Sequence, residues 1–326
     1  MTHRTARTAG ATSPGNSAPR QDAALATPPP ARRRRRHRRW GRLDLVLLIA
    51  LAVLPAWLHW RTDSVFAYRW DWSTVWPYVL RYDTEQHRWV ANLLVEGLLT
   101  TLRLAVWGIV LAGIAGIVMG LCRTSERLFL RLLGSGYVML IRNTPPLVFV
   151  FVFVYFIASQ IMPGMNLGDV VEQWPPTARL WAHVLFGAPR LLDNFVLGLI
   201  CLSVFSGAYV TEIVRAGIES VPHAQIEAGR SLGMSRPDVI RFIVLPQAFR
   251  NVLPPMAGQF IQLIKDSSLV SLVSIQELTF MAQDVQVSTQ RVFEVFLLIA
   301  VVYFVICFGL SQVFAALERR HARAQR

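Results

Sequence analysis

The sequence predicts an all-α, polytopic membrane protein with about six transmembrane helices. Of its 326 residues, 53% are hydrophobic and only 16% are charged, a more apolar composition than that of ordinary soluble domains. Apolar runs close to the 20 residues that cross a bilayer recur along the chain. Arginine is concentrated between these runs. The net charge of +13 is therefore interpreted as a marker of membrane topology, and no nucleic-acid partner is expected.

The N-terminal region is predicted to contain a tail and an anchor. Residues 1–42 are rich in Ala, Pro, Ser and Arg and end in a basic run, so they cannot bury enough apolar surface to fold alone and are expected to form a disordered cytoplasmic tail. Residues 43–60 are apolar and are predicted to be a transmembrane anchor. The alternative, a cleaved signal peptide, is disfavoured because a long basic tail precedes this run and small residues suited to cleavage are absent near Trp57.

Residues 61–89 are predicted to be a periplasmic segment. Aromatic residues alternate there with charged ones, as expected where a loop lies against the membrane–water interface. A binding role for these aromatics is the alternative. The aromatic residues concerned are Trp70, Trp72, Trp76 and Tyr78.

Five further spans are predicted after this segment. They cover approximately residues 98–121, 137–159, 195–214, 256–273 and 292–317. In the first of them, glycines at three- to five-residue steps favour close helix packing, because helices in lipid are not held together by apolar burial. These glycines are Gly108, Gly113, Gly116 and Gly120. Prolines break the stretch before the third span, so residues 180–186 are predicted to form an interfacial helix.

The arginine distribution predicts the orientation of these spans. With the N-terminus inside, the basic segments 123–131, 217–255 and 318–326 all fall on the cytoplasmic side. The arginines of the external segments are interspersed with acidic residues. Both termini are therefore predicted to be cytoplasmic, with residues 318–326 as a short C-terminal tail.

Residues 217–255 are too polar to lie in lipid and are predicted to form a helix–Gly–helix finger. A first short helix is expected to end at Leu232, because Gly233 can take the left-handed conformation common at helix ends. Ser235 and Asp238 have the spacing of a capping box that starts a second helix. The finger is thus predicted to be a cytoplasmic loop with two short helices.

The second helix of this finger is predicted to be short and amphipathic. Ile240, Ile243 and Val244 recur at helical spacing until Pro246, which is expected to end the run. A helix this short gains most of its stability from packing its apolar face. The partner is expected to be another protein.

The same residues carry a resemblance to a known family. Glu227-Ala228-Gly229, Gly233 and Ile243-Val244-Leu245-Pro246 resemble the EAA loop of bacterial ABC importer permeases. The flanking segments 219–222, 245–255 and 265–269 resemble the polar amino acid permeases within that group. The family usually has alanine at the position of Gly229, a departure expected to loosen the first helix by about 0.5–1 kcal/mol.

The resemblance covers about residues 90–317 and implies the type I ABC importer permease fold in the cell inner membrane. The implied function is that of a permease subunit that translocates polar amino acids, driven by ATP. The implied partners are an ATP-binding cassette ATPase subunit, a periplasmic solute-binding protein, a second identical or related permease subunit, the amino acid and membrane lipid. The implied coupling residues are Glu227, Ala228, Gly229, Gly233, Leu245 and Pro246.

The chain contains no sequence of the form Gly-x-x-x-x-Gly-Lys-Ser/Thr, so it lacks a P-loop for ATP. ATP hydrolysis is expected in a separate subunit, and no cofactor or metal is expected. No nucleophile–base arrangement is evident, which makes an enzyme a poor fit. Two other functions remain alternatives: a membrane scaffold or sensor that retains the permease fold, and an ion-coupled carrier, which would not need the finger.

Two adjacent charges lie in the predicted span 256–273. Lys265 and Asp266 would be costly in lipid unless they face a cavity or partner, and neighbouring helical residues point in different directions. A zwitterion needs one cationic and one anionic partner, which Lys265 and Asp266 could provide together with the hydroxyls of Ser267 and Ser268. These four residues are the predicted substrate site. A structural charge cluster at the subunit interface is the alternative.

Other charged residues are assigned structural roles. Glu212, Arg215 and Glu219 lie three and four residues apart and are predicted to pair on one helix face. Arg142 lies in a segment, 137–147, that resembles an Arg-Gly-Thr-Pro motif of these permeases. At the entrance of a span, Arg142 is expected to anchor to lipid headgroups.

Overall fold

The computed structural model describes scattered positions between residues 45 and 61 and then residues 68–84, 87–161 and 165–324. The predicted tail 1–42 lies outside these residues, as does part of the predicted anchor 43–60. The chain divides into two units, Met1–Arg69 and Trp70–Arg326. All of the elements discussed below belong to the second unit.

The described part of the second unit is largely helical. Its α-helices, in chain order, are α1 (Leu93–Arg123), α2 (Leu128–Arg142), α3 (Pro146–Val152), α4 (Leu167–Glu172), α5 (Pro176–Phe186), α6 (Leu192–Glu219), α7 (His223–Ser231), α8 (Arg236–Val239), α9 (Leu245–Asp266), α10 (Leu278–Thr289) and α11 (Val292–Ala324). One antiparallel hairpin, β1 (Leu80–Asp83) with β2 (Arg88–Ala91), precedes α1.

The long helices α1 and α6 pack along each other at the centre of the bundle. A Cβ atom added to Gly116 would lie 2.6 Å from Cβ of Val210 and 3.0 Å from the backbone nitrogen of Thr211. A Cβ added to Gly120 would lie 2.9 Å from Cβ of Val214. Only glycine admits α6 at this distance, so the predicted packing role is confirmed for both residues. Gly113 differs, because no described atom lies within 4 Å of its added Cβ.

The predicted span 137–159 is wrong in its bounds because the chain is broken inside it. Helix α2 ends at Arg142, and α3 begins at Pro146 at an angle of 109° to α2. The break has a covalent cause: Pro145 and Pro146 lack amide donors, and a residue before proline disfavours the helical conformation. Beyond α3, the chain continues as a π-helix over Phe153–Ala158 and a final turn over Ser159–Ile161.

Pro246 does not end the second finger helix, contrary to the sequence prediction. A π-helix, Ile240–Val244, joins α8 to α9, and Pro246 lies in the first turn of α9. The missing amide of a proline is tolerated in a first turn, because no hydrogen bond is needed there. Helix α9 also contains Pro254 and Pro255. The finger is therefore continuous with a helix that enters the bundle.

The predicted span 256–273 is divided between two elements. Helix α9 ends at Asp266, and a 3₁₀ helix covers Ser267–Val273. By length and composition, three helices in the described residues could cross a membrane: α1, α6 with the turn before it, and α11. A fourth span is added if α2 and the broken helix after it count as one crossing.

Two helices at the outside of the bundle, α5 and α11, cover segments for which the sequence made predictions. Helix α5 is confirmed as a helix that includes residues 180–186, and it ends at Phe186, before Gly187, where φ is +98°. Arg103 and Trp107 of α1 donate hydrogen bonds to the carbonyl oxygens of Val184 and Leu185 near the end of α5, at 2.9 and 3.1 Å. Helix α11 continues as far as Ala324 and so includes most of the predicted tail 318–326.

Candidate functional site: the finger and the adjacent cavity

The turn of the finger is built around Gly233. Its φ of +82° lies in the left-handed region, and its amide donates to the carbonyl of Arg230 at 3.0 Å. The amide of Met234 donates to the carbonyl of Gly229 at 3.1 Å, which completes a glycine cap for α7. Helix α8 begins at the predicted cap, where Ser235 Oγ accepts from the Asp238 amide at 3.4 Å. The predicted helix–Gly–helix finger is confirmed.

The two arms of the finger touch at Gly229. This residue is buried, and a Cβ added to it would lie 2.5 Å from Cδ1 of Ile243 and 3.5 Å from Cγ2 of Val239. A glycine in this position lets α7 lie close to the second arm. The other predicted coupling residues lie on the surface, and they are Glu227, Ala228, Gly233, Leu245 and Pro246.

The finger exposes large apolar side chains. Leu232 at the turn is 84% exposed, and further apolar residues along the second arm and the start of α9 are more than half exposed. These residues are Ile240, Phe242, Leu245 and Phe249. The exposed arginines Arg236 and Arg241 lie between these apolar residues along the chain, and exposed Arg230 lies just before Leu232. A surface that mixes apolar and cationic groups does not suit the interior of a bilayer, whereas a groove on a protein accommodates both.

Charged side chains join the finger ends of α1 and α6. Glu212 accepts from Arg215, and Arg215 also donates to Glu219, which confirms the predicted pairing on one face of α6. Arg123 of α1 forms a further ion pair with Glu212. The sequence analysis missed this bond, because the two residues are 89 positions apart and only the packing of α1 on α6 brings them together.

An open cavity of about 420 Å³ lies beside this network. Its walls come from the end of α2, the second half of α6 and the middle of α9, and the residues lining it are Arg142, Tyr209, Glu212, Ile213, Ala216, Gly217, Ser220, Asn251, Pro255 and Gln259. None of the four predicted substrate residues is among them. Asn251, Pro255 and Gln259 recur every four residues, a signal that could have identified this face of α9 from the sequence.

Arg142, which was expected to anchor to lipid headgroups, is an exposed residue that also lines the cavity. Its guanidinium carbon lies 5.6 Å from the centre of the Tyr209 ring. This distance is typical of a cation–π contact. Helix α2 ends at Arg142, because the proline-rich break follows directly, and this places the side chain at the edge of α6.

The predicted substrate residues lie at the other end of α9. Gln262 donates to Asp266 at 2.8 Å, and the hydroxyl of Ser268 donates to the carbonyl of Lys265 at 2.7 Å. Ser267 is buried and donates to the carbonyl of Ile264. Among the ion pairs of the described residues, none joins Lys265 to Asp266. The four residues are adjacent, as predicted, but they lie outside the cavity.

A buried carboxyl group, Glu277, was not identified from the sequence. It is fully buried and caps α10 by accepting from the Phe280 amide at 2.9 Å. Thr101 of α1 and Tyr303 of α11 also donate to it, at 3.2 and 2.9 Å. Burial raises the pKa of Glu277, and these hydrogen bonds oppose the shift. Glu277 thus ties three helices together at the end of the bundle opposite the finger.

The helical bundle and the protruding finger define a membrane-embedded subunit of a transport system. Residues 92–323 match the family described as the binding-protein-dependent transport system inner membrane component, and the chain belongs to this family. Proteins of this family are the transport subunits of ABC importers and are not themselves enzymes. The chain is therefore an all-α, polytopic inner-membrane permease.

Two curated relatives and one solved structure are similar to the chain. The glutamine transport system permease protein GlnP of Escherichia coli is 30% identical over 77% of this chain and 97% of its own length. The L-cystine transport system permease protein TcyB of Bacillus subtilis is 34% identical over 70% of this chain and 86% of its own length. A crystal structure of an amino acid ABC transporter with histidines matches with a TM-score of 0.57 and 33% identity, over 70% of this chain and 94% of the other.

Proposed function

We propose that this chain is the permease subunit of an ATP-driven importer that carries polar amino acids across the bacterial inner membrane. The observation that carries the proposal is the finger, which exposes a mixed apolar and cationic surface and is continuous with a helix of the bundle. Its resemblance to an EAA loop and the names of the relatives support the same function.

The finger is proposed to dock into a groove on a separate ATP-binding cassette ATPase. Nucleotide binding would then move α9 through the π-helix that joins it to α8, since the two helices form one continuous rod. A periplasmic solute-binding protein delivers the amino acid, and a second permease subunit, identical or related, completes the pathway. Membrane lipid covers the apolar sides of the bundle.

Replacement of Leu232 by aspartate tests this docking. Leu232 is 84% exposed, so the substitution removes apolar surface without disturbing the packing of the finger. Loss of one buried leucine is expected to weaken an interface by about 1.5–3 kcal/mol. We expect copurification with the ATPase and ATP-driven uptake to fall together, with unchanged thermal stability of the permease.

Leu80→Asp provides the matched control, because Leu80 is an exposed leucine of β1 outside the finger. It should assemble and transport like the unaltered protein. Gly233→Pro, which removes both the left-handed φ and the amide donor of the turn, should reproduce the Leu232→Asp defect. Normal assembly and uptake in both finger variants would refute the docking proposal.

Both termini are proposed to be cytoplasmic, on the side of the finger. The basic segments of the sequence support this orientation. In a background without cysteine, Ser288→Cys near the end of α10 should react with an impermeant thiol reagent added outside intact cells. Ser231→Cys in the finger should react only after the membrane is opened, and the reverse pattern would overturn the orientation.

Lys265, Asp266, Ser267 and Ser268 are proposed to contact the amino acid within the bundle. Adjacent charges that do not pair with each other support this role, because a zwitterion would compensate both. Asp266→Asn and Lys265→Met should change the KM or the substrate preference of uptake while the complex stays intact. A destabilised complex with unchanged preference would assign these residues to the subunit interface instead.

A further inference from the structure

We propose that the cavity formed by α2, α6 and α9 is a second amino acid site, in which Arg142 binds the substrate carboxylate near the finger end of the bundle. This inference rests on the proposed transport function. It adds a place where the amino acid would bind after leaving Lys265–Ser268.

The charge balance of the cavity leaves one cation without an anionic partner. Arg123 and Arg215 are compensated by Glu212 and Glu219 through the ion pairs of the network. In the described parts of the chain, Arg142 has no acidic side chain within ion-pair distance. Its guanidinium contacts the ring of Tyr209. A guanidinium against a ring face keeps its N–H donors available at its edge. Counted together with the adjoining ion pairs, the three arginines exceed the two glutamates by one, and the excess positive charge lies on Arg142, where a carboxylate would neutralise it.

The wall of the cavity that α9 forms supplies hydrogen-bond acceptors. Asn251 Nδ2 donates to Ser220 Oγ at 2.8 Å, and Gln259 Nε2 donates to Ser206 Oγ at 2.9 Å. Within the described residues, neither amide oxygen accepts a hydrogen bond. An α-ammonium group has three N–H donors, and the two amide oxygens can accept hydrogen bonds from it. The Arg142 guanidinium can donate to the carboxylate of the same molecule. The lining thus matches a zwitterion.

The size and position of the cavity fit a small substrate in transit. Its volume of about 420 Å³ lies at the lower end of the range usual for small-molecule sites. Gln259 precedes Lys265 by six residues along α9, which is about 9 Å of helix rise. The cavity therefore lies on the finger side of Lys265 along α9.

Thiol protection in the purified permease–ATPase complex tests the site. Ala216→Cys, in a background without the three native cysteines, places a reactive group in the lining. L-glutamine should slow its reaction with a neutral maleimide, whereas 4-aminobutanamide, the same molecule without its carboxylate, should not. Any other amino acid that the same complex takes up in proteoliposomes is tested in the same way.

Arg142→Gln should weaken the protection by roughly tenfold to a hundredfold, the ratio expected for loss of one charge-assisted hydrogen bond. Arg142→Lys, which keeps the charge, should retain part of it, and Arg179→Gln, which changes an exposed arginine of α5 outside the cavity, should retain it fully. Size-exclusion profiles of all variants show whether the complexes are intact.

The possible outcomes separate the two proposals. ATP-driven uptake without protection, or with protection that survives in Arg142→Gln, would overturn this site and leave the proposed function standing. Arg142-dependent protection by carboxylate-bearing compounds without uptake of any amino acid would support the site and count against the importer. If 4-aminobutanamide protects as well as L-glutamine, the carboxylate role of Arg142 is refuted.

Discussion

Helix α11 and the finger both expose large apolar side chains, but their charges are arranged differently. Residues 295–317 of α11 contain no charged residue, and side chains such as Phe304 and Phe308 lie on an uninterrupted apolar surface. In the finger, exposed arginines separate the apolar residues. The comparison shows that exposed apolar side chains do not by themselves tell whether a surface faces lipid or a protein. The spacing of charge distinguishes a surface for lipid from a surface for a protein partner.

The buried groups support the same distinction. Glu294 is fully buried at the start of α11 and accepts from the amide of Asp71 at 2.8 Å. Glu294, the acidic residue in the first turn of α11, is thus kept away from lipid. The finger has only a small interior, in which Gly229 meets Ile243 and the buried Val239, and Gln247 Nε2 donates to Gln225 Oε1 at 2.7 Å. A finger with so little core is expected to depend on its partner for a fixed conformation.

The largest effect is expected for a charge on the lipid-facing side of α11. Phe304 is 66% exposed near the middle of this helix. Phe304→Asp should disfavour insertion by about 2.5–3.5 kcal/mol, the cost of a charged residue at the centre of a span. Membrane-integrated protein and its resistance to thermal unfolding are the measurements.

Phe304→Leu is the matched control and should insert normally. Leu232→Asp, the same charge on the finger, should also insert normally, because that surface is expected to face a protein. Equal insertion of Phe304→Asp and Leu232→Asp would break the distinction between the two surfaces.

The sequence predicted the finger in more detail than the bundle, for physical reasons. Gly233, Ser235 and Asp238 act through bonds to near neighbours, so their spacing is sufficient to predict the turn and the cap. Pro246 was misinterpreted, because its effect depends on whether it lies in the first turn of a helix or in its interior. The π-helix that decides this question has no local sequence signal.

The cavity and the buried Glu277 could not be found from local patterns. Arg142, Tyr209 and Gln259 come from three separate helices and meet only because α2, α6 and α9 pack together. Glu277 likewise receives its donors from Thr101 and Tyr303, 176 and 26 residues away. Periodicity predicts which face of a helix is apolar, but it does not state which helix covers that face.

A smaller effect is expected from a methyl group at the α1–α6 contact. Gly116→Ala places a Cβ within 3.0 Å of the Thr211 backbone, so α6 must shift. Overpacking of this kind costs about 1–3 kcal/mol. Gly113→Ala is the control, because no described atom lies near its added Cβ and alanine favours a helix over glycine. Thermal unfolding of the two variants should therefore differ in sign, and equal stabilities would show that the face of α1 that packs on α6 has been assigned wrongly.

The smallest effect is expected for Gly229→Ala in the finger, which restores the residue usual in the family. The added Cβ would meet Cδ1 of Ile243 at 2.5 Å. This atom is the end of a flexible side chain, whereas the atoms near Gly116 include Cβ of Val210 and the backbone nitrogen of Thr211, which cannot move without α6. A rotamer change of Ile243 can relieve the contact at about 0.5–1.5 kcal/mol, and the gain in helix stability, about 0.5–1 kcal/mol, offsets most of it.

Uptake and ATPase copurification should stay within about twofold of the unaltered protein. Ile243→Val removes the Cδ1 atom that the new methyl group would meet. In this background, Gly229→Ala should leave uptake and copurification unchanged if the contact with Ile243 causes the loss. A severe loss of coupling that Ile243→Val does not rescue would show that Gly229 itself touches the partner.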